Sequence, residues 1–133
     1  KVAFGQHSGV INETSNFYYL PRFSLNEKYG AIDRVKFAAN AKGLGIYDFI
    51  PKDPTIYDNP PFIGFSLLDE KLVPSIDCFV FDSKGEVAKE IFKFNERIEI
   101  RLNRKLTEGR SRMNCTARGS DGLWRWFGHQ FYL

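Results

Sequence analysis

The stretch that decides the fold is residues 76–92, IDCFVFDSKGEVAKEIF. Apolar and polar residues alternate on both sides of Ser83-Lys84-Gly85, which predicts two strands, Ile76–Asp82 and Glu86–Phe92, joined in a hairpin. Successive side chains of a strand point to opposite faces, so Cys78 shares the inner face with Ile76 and Val80.

Further short runs on either side of this hairpin have the same character. They are Phe62–Leu67, Arg97–Leu102, Arg112–Ala117 and Leu123–Leu133. Turn-forming residues separate them, and the 13 phenylalanines suit half-buried pleated surfaces. Several short strands with such turns predict an antiparallel β-sandwich.

The chain before Gly43 has a different pattern. Residues 1–5 form a short apolar run typical of a strand end, and Asn26–Gly30 predicts a turn. The segment Ala31–Ala41 has the periodicity of a helix. We therefore predict a mainly β protein: residues 1–43 form a short α/β segment, and residues 44–133 form the β-sandwich. Within the second segment, the proline-rich stretch Ile50–Pro61 predicts an irregular loop.

Charge and hydropathy exclude some classes of partner. The net charge is +3, and glutamates interrupt the densest basic stretch, Arg97–Arg112, so no nucleic-acid partner is expected. No run approaches the roughly 20 apolar residues of a membrane-spanning helix. Because the chain starts at Lys1 rather than Met, we expect a processed form or a fragment.

The two cysteines, Cys78 and Cys115, fall on inward faces of different strands. This placement favours a disulfide, which would imply an oxidising compartment, periplasmic or extracellular. The alternative is two buried free thiols that act as small hydrophobic groups.

Two histidines lie at opposite ends of the chain. His7 follows a predicted strand end, where an imidazole can serve as a general acid or base, or it is a loop residue held by a local hydrogen bond. His129 shares a strand face with Phe127 and Phe131. Metal sites need three or four ligands, usually at recognisable spacing, so we predict no metal site and no cofactor in this chain.

Trp124 and Trp126 share the opposite face of the last strand. Two aromatic rings on one face can stack on sugar rings. The alternative is that they pack against a loop or a neighbouring domain.

Six motifs resemble, in order, the closing part of NodB-type polysaccharide deacetylases of Gram-negative bacteria. They are Phe4–Gly9, Leu20–Phe23, Asn26–Gly30 with Asp33-Arg34, Asn59–Pro61, Gly109–Thr116 and Gly122–Gly128. The resemblance implies that residues 1–43 end an irregular (β/α) barrel that binds a divalent metal such as zinc. It places His7 at the family's late catalytic histidine and Arg22 at an arginine that orients substrate.

The family's metal-binding aspartate and paired histidines have no match here. The resemblance therefore implies the C-terminal portion of a deacetylase of N-acetylated glycans, inactive without its remaining N-terminal part. The alternative is a carbohydrate-binding module using Trp124 and Trp126, or a structural β-sandwich, in either case without catalysis. A polysaccharide is the expected partner of the enzyme and of the binding module.

Overall fold

The computed structural model describes residues 1–13, 15–27 and 30–133, which form two packed β-sheets and one α-helix. In chain order the elements are α1 (Ile32–Asn40), β1 (Lys42–Gly43), β2 (Ile46–Ile50), β3 (Ile63–Leu67), a 3-10 helix (Glu70–Ser75), β4 (Asp77–Asp82), β5 (Gly85–Val87), β6 (Lys89–Phe94), β7 (Arg97–Leu102), β8 (Arg110–Arg118) and β9 (Trp124–Tyr132).

The strands form a five-stranded sheet, β1-β9-β8-β4-β5, and a four-stranded sheet, β2-β3-β7-β6. All neighbouring strands are antiparallel except β1, which pairs parallel to β9 through Lys42↔Arg125 and Gly43↔Trp126. The mainly β sandwich predicted from the alternating runs is therefore confirmed.

One apolar core lies between the inner faces of the two sheets. The four-stranded sheet contributes Phe65, Ile98 and Ile100, and the five-stranded sheet contributes Met113 and Phe131, all fully buried. Along β7 and β8 the buried residues occupy alternate positions, as period-two patterning requires. The patterning thus turns one face of each sheet inward and leaves the other face available for a site.

The structure differs from the prediction at one predicted strand and at one strand that was not predicted. Glu86–Phe92 is not one strand, because the chain changes sheets at Ala88: β5 pairs with β4, and β6 pairs with β7. Strand β2 was not predicted, because its alternation is broken. The register shifts between Tyr47 and Ile50, and Asp48 has a φ of 48°.

The helix predicted over Ala31–Ala41 is confirmed, with α1 one residue shorter at each end. The apolar run at residues 1–5 makes a single bridge, Phe4↔Leu20, rather than a strand. The predicted turn Asn26–Gly30 includes Lys28 and Tyr29, which lie outside the described residues. The division at residue 43 stays a prediction. In the described part of the chain, no helix has the length and apolar character needed to cross a membrane.

The disulfide between Cys78 and Cys115 is confirmed. The two residues are directly opposite each other in the β4–β8 pairing, and both are fully buried. The bond therefore joins two central strands of the five-stranded sheet and indicates an oxidising compartment.

Replacing both cysteines by alanine should destabilise the sandwich. The bond closes a loop with a sequence separation of 37 residues, for which chain entropy predicts a loss of about 4 kcal/mol in the free energy of unfolding. Urea denaturation of the double variant and the parent measures this loss. Two titratable thiols in the denatured, unreduced parent would contradict the disulfide itself.

Candidate functional site

The N-terminal segment, residues 1–27, crosses the outer face of the five-stranded sheet above β9. The carbonyl oxygen of Ser8 occupies the position that a Cβ at Gly128 would need. Farther along, the Tyr19 hydroxyl donates to Oε1 of Gln130 at 3.2 Å, and Gln130 is 2% exposed. Because glycine has no side chain, the segment can lie directly on the strand.

Trp126 binds the same Ser8 carbonyl from a neighbouring position of β9. Its indole Nε1 donates to the Ser8 carbonyl at 3.2 Å, and its ring meets the edges of Phe23 and Phe37 at 5.4 and 5.6 Å. The Arg34 guanidinium lies 5.8 Å from the same ring, within cation–π range. Trp126 thus holds the N-terminal segment and α1 against the sheet.

Two cavities lie where the N-terminal segment crosses β9. The first, here called the aromatic cavity, has a volume of about 290 Å³ and is lined mainly by aromatic and aliphatic side chains. It lies at the edge of β9 between the β1 pairing at Trp126 and the Thr55↔Tyr132 bridge. His7 and Tyr19 cover it from the N-terminal segment, and Phe49 borders it from the four-stranded sheet.

Both histidines border the aromatic cavity. His7 stacks on Tyr19 with ring centroids 4.4 Å apart, and His129 lies 4.5 Å from the ring of Phe49. In the described part of the chain, neither the Nδ1 atom of His7 nor the Nε2 atom of His129 has a hydrogen-bond partner. Burial lowers the pKa of His7. Burial, with a smaller contribution from His7, lowers the pKa of His129 to about 4. Both imidazoles are therefore neutral at pH 7.

The second cavity, here called the arginine cavity, has a volume of about 500 Å³ and lies between the N-terminal segment and the outer faces of β4, β8 and β9. Four arginines and several amide and hydroxyl side chains line it, and none of the described residues in the lining is Asp or Glu. These residues are Gln6, Ser8, Arg22, Ser24, Asn26, Arg34, Arg110, Arg112 and Asn114, together with His7, Phe81, Trp126 and His129.

Neutral groups hold the arginines on the sheet side of this cavity. The Arg110 guanidinium donates to Oε1 of Gln6 at 2.7 Å, and the Arg112 guanidinium lies over the Phe81 ring at 5.5 Å. Arg22 is held by its backbone, whose N–H donates to the His7 carbonyl at 3.0 Å. Arginine residues therefore border the cavity from both the segment and the sheet.

The structure brings together three of the four predicted functional residues. His7, Arg22 and Trp126 all line the arginine cavity. Trp124 lies outside both cavities, 38% exposed, with the Arg118 guanidinium 5.8 Å from its ring. No group of three or more His, Cys, Asp or Glu side chains among the described residues could hold a metal ion.

Sequence reasoning missed Arg110, Arg112 and Asn114. The signal was present, because these residues occupy every second position of β8 and so share the face opposite Met113 and Cys115. Their outward direction was predictable, but the segment that covers them lies about a hundred residues away in the chain.

Comparisons with known proteins support the fold. No protein-family model and no curated protein sequence matches this chain. Among solved structures, the crystal structure of CopC from Methylosinus trichosporium OB3b matches with a TM-score of 0.52 and 14% identical residues. The match covers 66% of this chain and 90% of that chain. The two chains share a fold.

This finding corrects the predicted resemblance. The assignment to NodB-type deacetylases is wrong, and with it the assignment of this chain to the C-terminal portion of a metal-dependent deacetylase that needs its remaining N-terminal part. The physical reason lies in the motifs, because Gly128 and Trp126, which carried part of the resemblance, serve here to pack the N-terminal segment on β9.

Substituting alanine for Gly128 should loosen the N-terminal segment. The new Cβ would collide with the Ser8 carbonyl, and overpacking of this kind costs about 1–3 kcal/mol. We expect amide exchange at Gly5, Leu20 and Arg22 to rise about 10- to 100-fold, because their N–H groups bond within this segment.

Gly85→Ala is the matched control for this substitution. Gly85 has a φ of 107° but open space around its Cβ position, so the change strains the β4–β5 turn without touching the segment. Equal exchange of the three amides in both variants would show that Gly128 does not control the segment.

Stability should fall in acid because of His129. Its pKa of about 4 lies below the ordinary value of 6.5, so between those two values the unfolded chain binds a proton that the folded chain does not. The free energy of unfolding therefore decreases as the pH falls from 6.5 to 4, by up to about 3 kcal/mol.

Thermal unfolding at pH 7 and pH 4.5 of the parent and His129→Gln tests this expectation. The carboxylates of Asp82 and Asp121, whose pKa values are lowered by Arg104 and Arg125, remain in both proteins and cancel in the comparison. The Tm of the variant should fall less in acid. An identical fall in both proteins would show that His129 is not the titrating group.

Proposed function

We propose that this protein is a non-catalytic β-sandwich module that binds a glycan in the arginine cavity. The observation that carries the proposal is the cavity wall, in which Gln6, Asn114 and the arginines surround a space of about 500 Å³. That volume falls within the usual range of small-molecule sites, roughly 300–1,000 Å³.

The lining chemistry fits a ligand rich in hydroxyl groups. Amide side chains both donate and accept hydrogen bonds, and a guanidinium donates in a planar fork. A sugar ring carries adjacent hydroxyls that can pair with such groups two at a time. Trp126 adds an aromatic side chain to the same wall, and the π face of an aromatic ring suits the C–H surface of a sugar.

The same lining favours binding over catalysis. Acid–base hydrolysis needs a positioned proton acceptor with a suitable pKa. Among the described residues, the cavity lining contains no carboxylate, the two histidines have lowered pKa values, and one ring nitrogen of each has no hydrogen-bond partner. Neither histidine therefore has an adjacent acidic group to orient it or to stabilise its protonated form.

The disulfide supports a site of action in an oxidising compartment. We place the protein in the periplasm or outside the cell, where polysaccharides are accessible to a binding module.

Affinity electrophoresis against pectin, alginate, xylan and galactomannan tests the proposal, followed by calorimetric titration of the polysaccharide that retards the protein. We expect Arg22→Ala and Asn114→Ala each to weaken binding about tenfold, the effect of losing roughly 1.4 kcal/mol of hydrogen bonding.

Trp124→Ala is the control, since Trp124 is an aromatic residue of the same strand outside the cavity. Loss of binding in this variant, with Arg22→Ala unaffected, would move the sugar to an exposed tryptophan surface. Retardation by none of the four polysaccharides would contradict glycan binding and favour a structural role.

A further inference from the structure

We infer that the glycan bound in the arginine cavity carries an oxyanion, a carboxylate or a sulfate ester. This inference rests on the proposed function and specifies the class of ligand. It comes from the four arginines that line the cavity, since hydroxyl recognition alone does not require their positive charge.

The charge of the cavity comes from both of its walls. Arg110 and Arg112 are two positions apart on β8, so their side chains leave the same face of the sheet. Arg22 and Arg34 border the space from the N-terminal segment and α1. Four cations that converge on one cavity raise its electrostatic potential and attract anions.

Two arginines outside the cavity have acidic partners. Arg104 forms an ion pair with Asp82 at 2.5 Å, and Arg125 forms one with Asp121 at 2.6 Å. Among the described residues, Arg22, Arg110 and Arg112 take part in no ion pair. Unlike Arg104 and Arg125, these three arginines of the cavity lining therefore have no carboxylate partner among the described residues.

The contacts that these arginines do make hold them in place without neutralising them. The Gln6 amide oxygen accepts from Arg110, and the Phe81 ring lies beneath Arg112. Arg112 is also opposite Gln130 in the β8–β9 pairing, and Gln130 is itself held by Tyr19 and Tyr132. The guanidinium groups are therefore positioned in advance, which lowers the entropy cost of binding.

Guanidinium groups match oxyanions in geometry as well as charge. The planar fork donates two parallel hydrogen bonds to a carboxylate, and charge-assisted bonds are roughly twice as strong as neutral ones. An acidic sugar residue would present such a group beside its hydroxyls. The arginines would then bind the anion, while Gln6 and Asn114 bind the hydroxyls.

Calorimetric titration with a matched set of probes tests the inference. The probes are tetragalacturonate, its fully methyl-esterified form, a sulfated tetrasaccharide derived from heparin, and citrate as a polycarboxylate that is not a sugar. We expect at least one of the two acidic oligosaccharides to bind at least about tenfold more tightly than the neutral ester. The tighter of the two identifies the anion as a carboxylate or a sulfate.

The variants Arg110→Ala and Arg112→Ala should each weaken binding of the preferred acidic oligosaccharide about tenfold or more. The matched control is Arg118→Ala, which removes the same charge from the same face of β8 outside the cavity. Increasing salt from 50 to 200 mM should weaken binding of the acidic probe.

The outcomes separate this inference from the proposed function. If the methyl ester binds as tightly as both acidic oligosaccharides, the glycan site stands and its anion preference is overturned. If citrate binds as tightly as the acidic oligosaccharides, the oxyanion preference stands and the proposed glycan function is overturned. If Arg118→Ala weakens binding as much as Arg110→Ala and Arg112→Ala do, or if no probe binds, the inference is overturned.

Discussion

The close contact between the Ser8 carbonyl and Gly128 is the constraint on which the candidate site depends. A sandwich built from β2 to β9 alone would leave the outer face of β8 and β9 open to solvent. The N-terminal segment can cover that face only where β9 lacks a side chain. Trp126 then anchors the segment from the next outward position of the strand. Both cavities are the spaces that remain around this crossing.

The sequence predicted the inner faces of the sheets better than the contacts on their outer faces. Alternation identified the inner faces of β7 and β8, and the inward direction of Cys78 and Cys115 led to the disulfide. The alternation of apolar and polar residues does not indicate which segment of the chain covers the outer face of a sheet. The arginine cavity joins Arg22 to Arg110 and Arg112 across nearly ninety residues of chain, and no local pattern encodes that contact.

The mistaken resemblance has a physical explanation of the same kind. Its motifs contain residues that folds of many types use for turns and backbone contacts. The Asn59 side chain both donates to and accepts from the backbone of Leu106, and Gly109 has a φ of 92°. Both features stabilise the fold, and neither indicates a particular reaction. Function depends on which side chains border a cavity, and a shared fold does not determine that.

The two-residue strand β1 has a consequence for self-association. An uncovered edge of a long strand offers free N–H and C=O groups to another chain. Strand β9 has nine residues, and β1 pairs with only two of them, while the Thr55 bridge covers its far end. Residues 127–129 border the aromatic cavity, which His7 and Tyr19 cover from the N-terminal segment. The segment that borders both cavities therefore also covers part of an edge at which another chain could otherwise pair.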